Sequence, residues 1–261
     1  MKKKPFSVIY ACLVYIFLYL PIAVVIAFSF NTSKMNVVFE GFTFDWYISM
    51  WSNTLLMDAF KNTLIVAVAS TLISTILGTL CAVGLNRFEF KLKETISSAL
   101  YIPIVIPELV FAIAMLILFS SMNITMNMVT LIISHVTFSM PFVVITVRSR
   151  LAGYDRSIEE AARDLGANEL RTFFRVTLPM IMPGVLSGAM LALTLSLDDV
   201  VVSFFTAGVN SQTLPLRILS MVKKGISPDV NALSTLIILG SVILLVGSTL
   251  IQNKLEKREE M

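Results

Sequence analysis

The chain has 261 residues, 56% of them hydrophobic and 14% charged, with a formal net charge of +3 and a mean hydropathy of +0.85. Soluble domains run roughly 45–50% apolar and about 25% charged, so this chain lacks the polar surface to coat a water-soluble globule. A cytoplasmic enzyme, a disordered chain and a collagen-like fibre are excluded with it, and Cys12 and Cys81, both in apolar runs, make neither a disulfide framework nor a zinc spacing.

What remains is an all-α polytopic membrane protein. About 20 mostly apolar residues are needed per crossing, which gives six spans: residues 8–30, 63–85, 97–120, 124–147, 181–207 and 232–251. Period-2 segments do not recur, which argues against an outer-membrane barrel. The first span follows Lys2, Lys3 and Lys4. That start also suits a signal peptide, but the apolar run is longer than a usual h-region and no A-x-A site follows, so it reads as a retained helix. Next come Trp46, Tyr47 and Trp51 in an outer segment. With Phe204 and Phe205 they offer a cage for an ammonium group, although interfacial anchoring is the better reading of the two tryptophans.

The third span carries Pro103, Pro107 and Glu108. Each proline removes a backbone donor and clashes with the preceding turn. An interrupted helix at membrane depth is tolerated where it lines a cavity or is buried in protein. Glu108 then either lines a path or accepts hydrogen bonds from the broken backbone. The fourth span holds the single histidine, His135. A proton relay needs titratable partners, and none is near in sequence, so a structural hydrogen bond is expected.

Residues 148–180 form the longest polar segment. Ser157 with Glu160 three positions later has capping-box spacing. Ile158, Ala161, Ala162 and Leu165 recur at helical intervals, and Gly166 permits a turn. Leu170, Phe173, Phe174 and Val176 make a second apolar face running to Pro179. The expectation is two short amphipathic helices at the cytoplasmic surface, resting on lipid headgroups or docking a soluble partner.

The fifth span carries Asp198 and Asp199. With Glu108 they are the three of 17 acidic residues that fall within spans, and no Lys or Arg does. A carboxylate at the bilayer centre costs about 2.5–3.5 kcal/mol even on the lenient insertion scale. Such groups belong beside a watery path where a cation completes the charge. The sign favours a cationic cargo over sulfate, phosphate or molybdate. A polyamine, with several ammonium groups on an aliphatic stem, suits carboxylates combined with aromatic walls. The path residues are thus Glu108, Asp198, Asp199 and Phe204. Neighbours on a helix diverge by about 100°, so Asp198 and Asp199 cannot both address one ligand, and which of them faces the path stays open. After this span, residues 215–224 should form a short amphipathic helix. Its basic Arg217, Lys223 and Lys224 either pair with acidic residues of a binding protein or are merely solvated.

Orientation follows from the basic residues. With the N-terminus inside, Lys34, Lys61, Arg217, Lys223 and Lys224 fall outside, and the other 15 of the 20 fall inside, as do both ends of the chain.

The 148–180 loop resembles the EAA motif of ABC-importer permeases: E-A-A, three residues, Gly, nine residues, Ile, any residue, Leu-Pro. Glu160, Ala161, Ala162, Gly166, Leu178 and Pro179 stand at those positions, with Val176 in place of Ile. Residues 41–51 resemble the outer-loop motif of the same group. Residues 134–151 and 195–235 resemble the spermidine/putrescine permeases of the PotC type. This resemblance implies a type I ABC-importer permease of the bacterial cytoplasmic (inner) membrane, with the loop as a coupling element seated in a cleft of an ATPase. It implies as partners a second permease of the PotB type, two ATPase subunits of the PotA type and an extracytoplasmic polyamine-binding protein of the PotD type. The chain has no G-x-x-x-x-G-K-[ST] loop. ATP is therefore expected on the partner, with no cofactor, no metal and no enzymatic activity in this chain. A permease for ferric ion or an anion, and a self-sufficient secondary transporter, are the alternatives.

Overall fold

A computed structural model describes residues 5–34, 38–153, 155, 157–222 and 227–259. Among them the regular structure is helical, apart from one isolated antiparallel bridge between Asn31 and Phe42. The helices are α1 Pro5–Phe28, α2 Asp45–Ser52, α3 Thr54–Arg87, α4 Lys93–Ala99, α5 Ile102–Val105, α6 Glu108–Ser121, α7 Met128–Leu151, α8 Ser157–Asp164 and α9 Glu169–Thr172. A π-helical turn, Phe173–Thr177, leads into α10 Leu178–Leu197, followed by α11 Val201–Thr206, α12 Leu214–Val222 and α13 Pro228–Glu259.

Among the described residues, four stretches are long and apolar enough to cross a membrane: Val8–Phe28, Thr54–Arg87, Met128–Leu151 and Glu169–Leu197. The pair Lys93–Val105 and Glu108–Ser121 is a fifth if counted as one span, and Pro228–Ile243 is a shorter apolar helix within the expected sixth. The high exposure of apolar side chains on α1, from Ile9 to Leu20, is what a lipid-facing helix requires, because lipid tails are as apolar as leucine.

Two expected spans are not continuous helices. The third bends by 110°. Ile106, the residue before Pro107, is extended at φ −70° and ψ 134°, because the proline ring excludes the helical region for its predecessor. Pro103 does no such damage: it sits in the first turn of α5, where the missing N–H has no partner to lose. The fifth span stops at Leu197 and restarts at Val201, so Asp198 and Asp199 lie in a break and not on one helix. The fourth starts four residues later than expected, at Met128. Asn127 caps it there by accepting from the Val129 and Thr130 amides, and Thr130 bonds back to the Asn127 amide.

The chain divides into two compact units. One comprises the described residues up to Asp58 and from Ile218. In it, the Thr32 amide donates to the Gly41 carbonyl and the Thr43 amide to the Phe30 carbonyl on either side of the bridge. Trp46 Nε1 donates to the Asn31 carbonyl at 2.6 Å, so this indole fastens the loop's own backbone. Trp51 is exposed. Asn53 Nδ2 donates to Asp229 Oδ2 at 2.5 Å, tying the end of α2 to the start of α13.

The other unit spans Ala59–Arg217. Its core joins Ala82 and Val83 of α3, Val143, Val144, Val147 and Leu151 of α7, and Ile181, Val185 and Ala192 of α10. Small residues let these helices approach, the usual means of packing in lipid. A Cβ on Gly78 would lie 2.8 Å from the Val143 side chain, and one on Gly184 would lie 2.8 Å from the Arg150 side chain. A second cluster, Phe111, Ala112, Met115 and Phe119 of α6 with Val202 of α11, brings together the two helices that follow the two breaks.

Candidate functional site

The breaks meet at the acidic residues. Asp198 closes α10, its amide donating to the Thr194 carbonyl at 3.3 Å, and its side chain is exposed. Asp199 turns inward and is 5% exposed. Its Oδ1 accepts from the Val202 amide at 3.0 Å, and its Oδ2 accepts from the Ser203 amide at 2.8 Å and the Ser203 hydroxyl at 2.6 Å. A carboxylate so placed satisfies amides that the start of a helix leaves without partners. His135 Nε2 lies 3.3 Å from Asp199 Oδ2. His135 Nδ1 shares a 2.7 Å hydrogen bond with the Ser196 hydroxyl, which accepts from the Ser70 hydroxyl at 3.1 Å. One polar chain thus joins α3, α7, α10 and α11.

The histidine has the structural hydrogen bonds expected of it, and also a titratable partner that sequence distance concealed. Asp199 comes 64 places after His135 but contacts it through the fold. Glu108, in the first turn of α6, brings its carboxyl against Asp199 and within electrostatic range of Asp198. Glu108, Asp198 and Asp199 therefore converge. Because they sit at two helix breaks, the 100° divergence expected of Asp198 and Asp199 does not govern them. Phe204 is exposed, and its ring contact is with Phe205 at 5.1 Å.

The second candidate region is the hairpin of α8 and α9. Its turn needs Gly166, which has φ +85°, a conformation that costs other residues roughly 1–2 kcal/mol. The Gly166 amide donates to the Arg163 carbonyl and the Ala167 amide to the Ala162 carbonyl. Asn168 caps α9 by accepting from the Arg171 amide at 2.8 Å. Ser157 is not the cap expected of it: it is the first residue of α8, and its amide donates to Asp155 Oδ1 at 2.9 Å. That hydrogen bond holds the Asp155 carboxyl below its ordinary pKa.

The two adjacent glutamates part company. Glu160 is exposed, with Ala161 beside it and Ala162 half-buried, whereas Glu159 is buried. Glu159 Oε2 meets Arg87 Nη2 at 2.5 Å, and its Oε1 accepts from the Thr177 hydroxyl at 2.6 Å. Arg87 Nη1 donates to Glu169 Oε2 at 3.2 Å, and Arg163 lies 3.6 Å from Glu159 and 3.4 Å from Glu169. Neither Arg87 nor Glu159 stands out in the sequence, where Arg87 counts only toward orientation. The tip is apolar and uncovered among the described residues: Leu165 is 90% exposed, and Leu170 and Phe174 are also exposed. Leu178 is half-buried against the α3–α7–α10 core, and Pro179 is exposed in the first turn of α10. The expected outer helix appears as α12, Leu214–Val222, with its basic Lys223 and Lys224 outside the described residues.

The spermidine/putrescine transport system permease protein PotC of Escherichia coli (strain K12) is 43% identical to this chain over 238 residues, covering 91% of this chain and 90% of that protein. The putrescine transport system permease protein PotI of the same strain is 39% identical over 247 residues, covering 92% and 88%. In a solved structure, a bacterial ABC transporter involved in the import of the acidic polysaccharide alginate, one chain superposes with a TM-score of 0.71 at 17% identity, over 94% of this chain and 95% of that one. The MetNI methionine ABC transporter superposes with a TM-score of 0.62 at 21% identity, over 78% and 97%. At such identities these two structures speak for the fold: that of a type I ABC-importer permease. The family described as binding-protein-dependent transport system inner membrane component matches residues 74–260, and this chain belongs to it.

Proposed function

We propose that the chain is the permease subunit through which an ATP-driven importer moves polyamines, spermidine or putrescine, across the inner membrane. The observation that carries this reading is the meeting of Glu108, Asp198 and Asp199 at two helix breaks. Broken helices at membrane depth are tolerated where they line a cavity or are buried in protein, and in transporters they recur at the substrate site. Three carboxyls there, with no Lys or Arg in the expected spans, favour a cation with more than one charge. The two polyamine permeases named above support the cargo.

The hairpin is the docking element for a separate ATPase, with Glu160, Ala161, Ala162 and Gly166 in its turn and Leu178 and Pro179 where it enters α10. The chain holds no cofactor of its own, and ATP stays on the partner. A second permease subunit completes the path, two ATPase subunits lie at the cytoplasmic face, and an extracytoplasmic binding protein delivers the cargo. Both termini are cytoplasmic. Closure of the ATPases drives the hairpins together, and the spans rock to open the acidic cluster outward, where Glu108 and Asp198 present their carboxyls to ammonium groups and Phe204 offers a ring face.

Cells that lack other polyamine routes decide the cargo. Adding this chain with its partners should restore uptake of labelled spermidine or putrescine, and ferric ion and sulfate should neither enter nor compete. Uptake of ferric ion or an anion in place of polyamine would overturn the assignment.

A further inference from the structure

We propose that Arg87 is a positioning residue for energy coupling. Its guanidinium locks the cytoplasmic hairpin to the end of α3, so that a push on the hairpin moves α3 together with α10. This inference rests on the docking role given to the hairpin above.

The hairpin reaches α10 by chain continuity through the π-helical turn. Arg87 makes three hydrogen bonds from α3 to the hairpin and to the foot of α10. Arg87 Nη2 donates to Glu159 of α8 at 2.5 Å and to the Thr177 hydroxyl at 3.4 Å, and Nη1 donates to Glu169 of α9 at 3.2 Å. One planar fork therefore holds α8, α9 and the foot of α10 in a fixed relation to α3. A lysine can supply the charge there but not the fork.

The pair is sheltered. Side-chain exposure is 19% for Arg87 and 10% for Glu159. Exposed ion pairs are screened and contribute little. A sheltered one is costly to break, because removing one partner strands the other charge. Thr177 and Arg163 complete the shell of Glu159, so its carboxylate is held from several elements at once. Glu160, one position on, is exposed although it lines the same cavity as Arg87 and Glu159, so of the two adjacent glutamates Glu159 is the one committed to the anchor.

The connection also leads somewhere. On α3, Ser70 donates to Ser196, and Ser196 bonds His135, which contacts Asp199. At 1.5 Å per residue, Arg87 and Ser70 lie about 25 Å apart on one rigid helix. A displacement at the hairpin thus has a continuous route through α3 to the acidic cluster.

The test uses the complete transporter in proteoliposomes, with this chain as wild type, Arg87→Gln, Arg87→Lys or Glu159→Gln. Three quantities are read: ATPase retained on purification, the rate of ATP hydrolysis, and polyamine moved per ATP. In Arg87→Gln and Glu159→Gln the ATPase should stay bound and hydrolysis should persist, while polyamine moved per ATP falls about tenfold, within the range usual for coupling between sites. Arg87→Lys should recover part of that ratio. An unchanged ratio in both glutamine variants overturns the proposal. So does equal loss of folded permease in Arg87→Gln and Arg87→Lys, which would make the residue a folding staple only. Failure of the docking reading looks different: the wild-type chain itself would retain no ATPase and show no ATP-dependent uptake.

Discussion

Asp199 and Glu159 are both buried carboxylates that hold several helices together within the Ala59–Arg217 unit, yet their surroundings differ in sign. Glu159 and Glu169 meet Arg87 and Arg163, so two negative groups face two positive ones. Around Asp199 the basic group is His135, and two more carboxyls, Glu108 and Asp198, crowd the same place. A network whose charges balance is complete and can serve as a rigid joint. A network left short of positive charge, at membrane depth, is completed by something that arrives. The same residue type thus sits in a balanced network at the Arg87 end of α3 and in an unbalanced one that reaches α3 at Ser70, near its middle; on the function proposed above, the first is the joint and the second the cargo site.

The largest effect should come from Asp199→Ala. It strands the Val202 and Ser203 amides and His135, at about 1–3 kcal/mol for each buried group left unpaired. The amount of permease in the membrane should fall, and the detergent-extracted chain should aggregate at lower temperature. Normal amounts with no uptake would make Asp199 a cargo ligand and not the group that holds the helix break together.

Asp198→Asn and Glu108→Gln sharpen the contrast from the other side. Both side chains are exposed and hold no helix end by side-chain hydrogen bonds among those described. Permease content should be unchanged, while uptake of labelled spermidine and putrescine falls. A hydrogen bond to a charged group is worth about 1.5–3 kcal/mol, which corresponds to roughly 10- to 100-fold. If uptake is unchanged in both, the carboxyls are not cargo ligands.

Gly166→Val probes the balanced end without touching a charge. The backbone there has φ +85°, and a Cβ would meet no neighbour within 4 Å, so any penalty is conformational, roughly 1–2 kcal/mol. Membrane insertion should be intact and transport several-fold lower, with ATP hydrolysis persisting. Normal uptake in this variant would remove the hairpin turn from the coupling step.

The hairpin was largely legible in sequence because its signals are local: a glycine at the turn, apolar residues at helical spacing, and E-A-A through Leu178-Pro179 at fixed intervals. The breaks were half legible. Pro107 announces the first, since a proline acts on its immediate neighbour. Nothing local announces the second, because Asp198 and Asp199 read as two acids on an apolar helix until the fold places His135 beside them. The same holds for Arg87 and Glu159, 72 residues apart. Contacts made through the fold leave no periodicity, so composition shows that charges must be compensated without showing by which partner.

The smallest effect should be at Asp155, which also belongs to the hairpin but is open to water. Its carboxyl accepts from the Ser157 backbone and side chain, and this holds its pKa below the ordinary value. A group whose folded pKa lies below its unfolded value, about 3.9 for Asp, stabilises the fold at every pH above that value. The contribution is lost as pH falls through the folded one. Amide protection of α8, corrected for intrinsic exchange, should therefore be flat from about pH 8 to pH 5 as far as Asp155 is concerned, and should decline only below about pH 4. Glu159 and Glu169 carry their own charges nearby, so the comparison that isolates Asp155 is wild type against Asp155→Asn, which keeps an acceptor oxygen but cannot ionise. The difference between the two should be small at neutral pH and vanish in acid. A difference that grows in acid would mean that the Asp155 carboxyl does not act through its charge. A large difference at neutral pH would mean that the hairpin depends on an exposed carboxyl as much as on its sheltered ion pairs, contrary to the ranking that burial gives them.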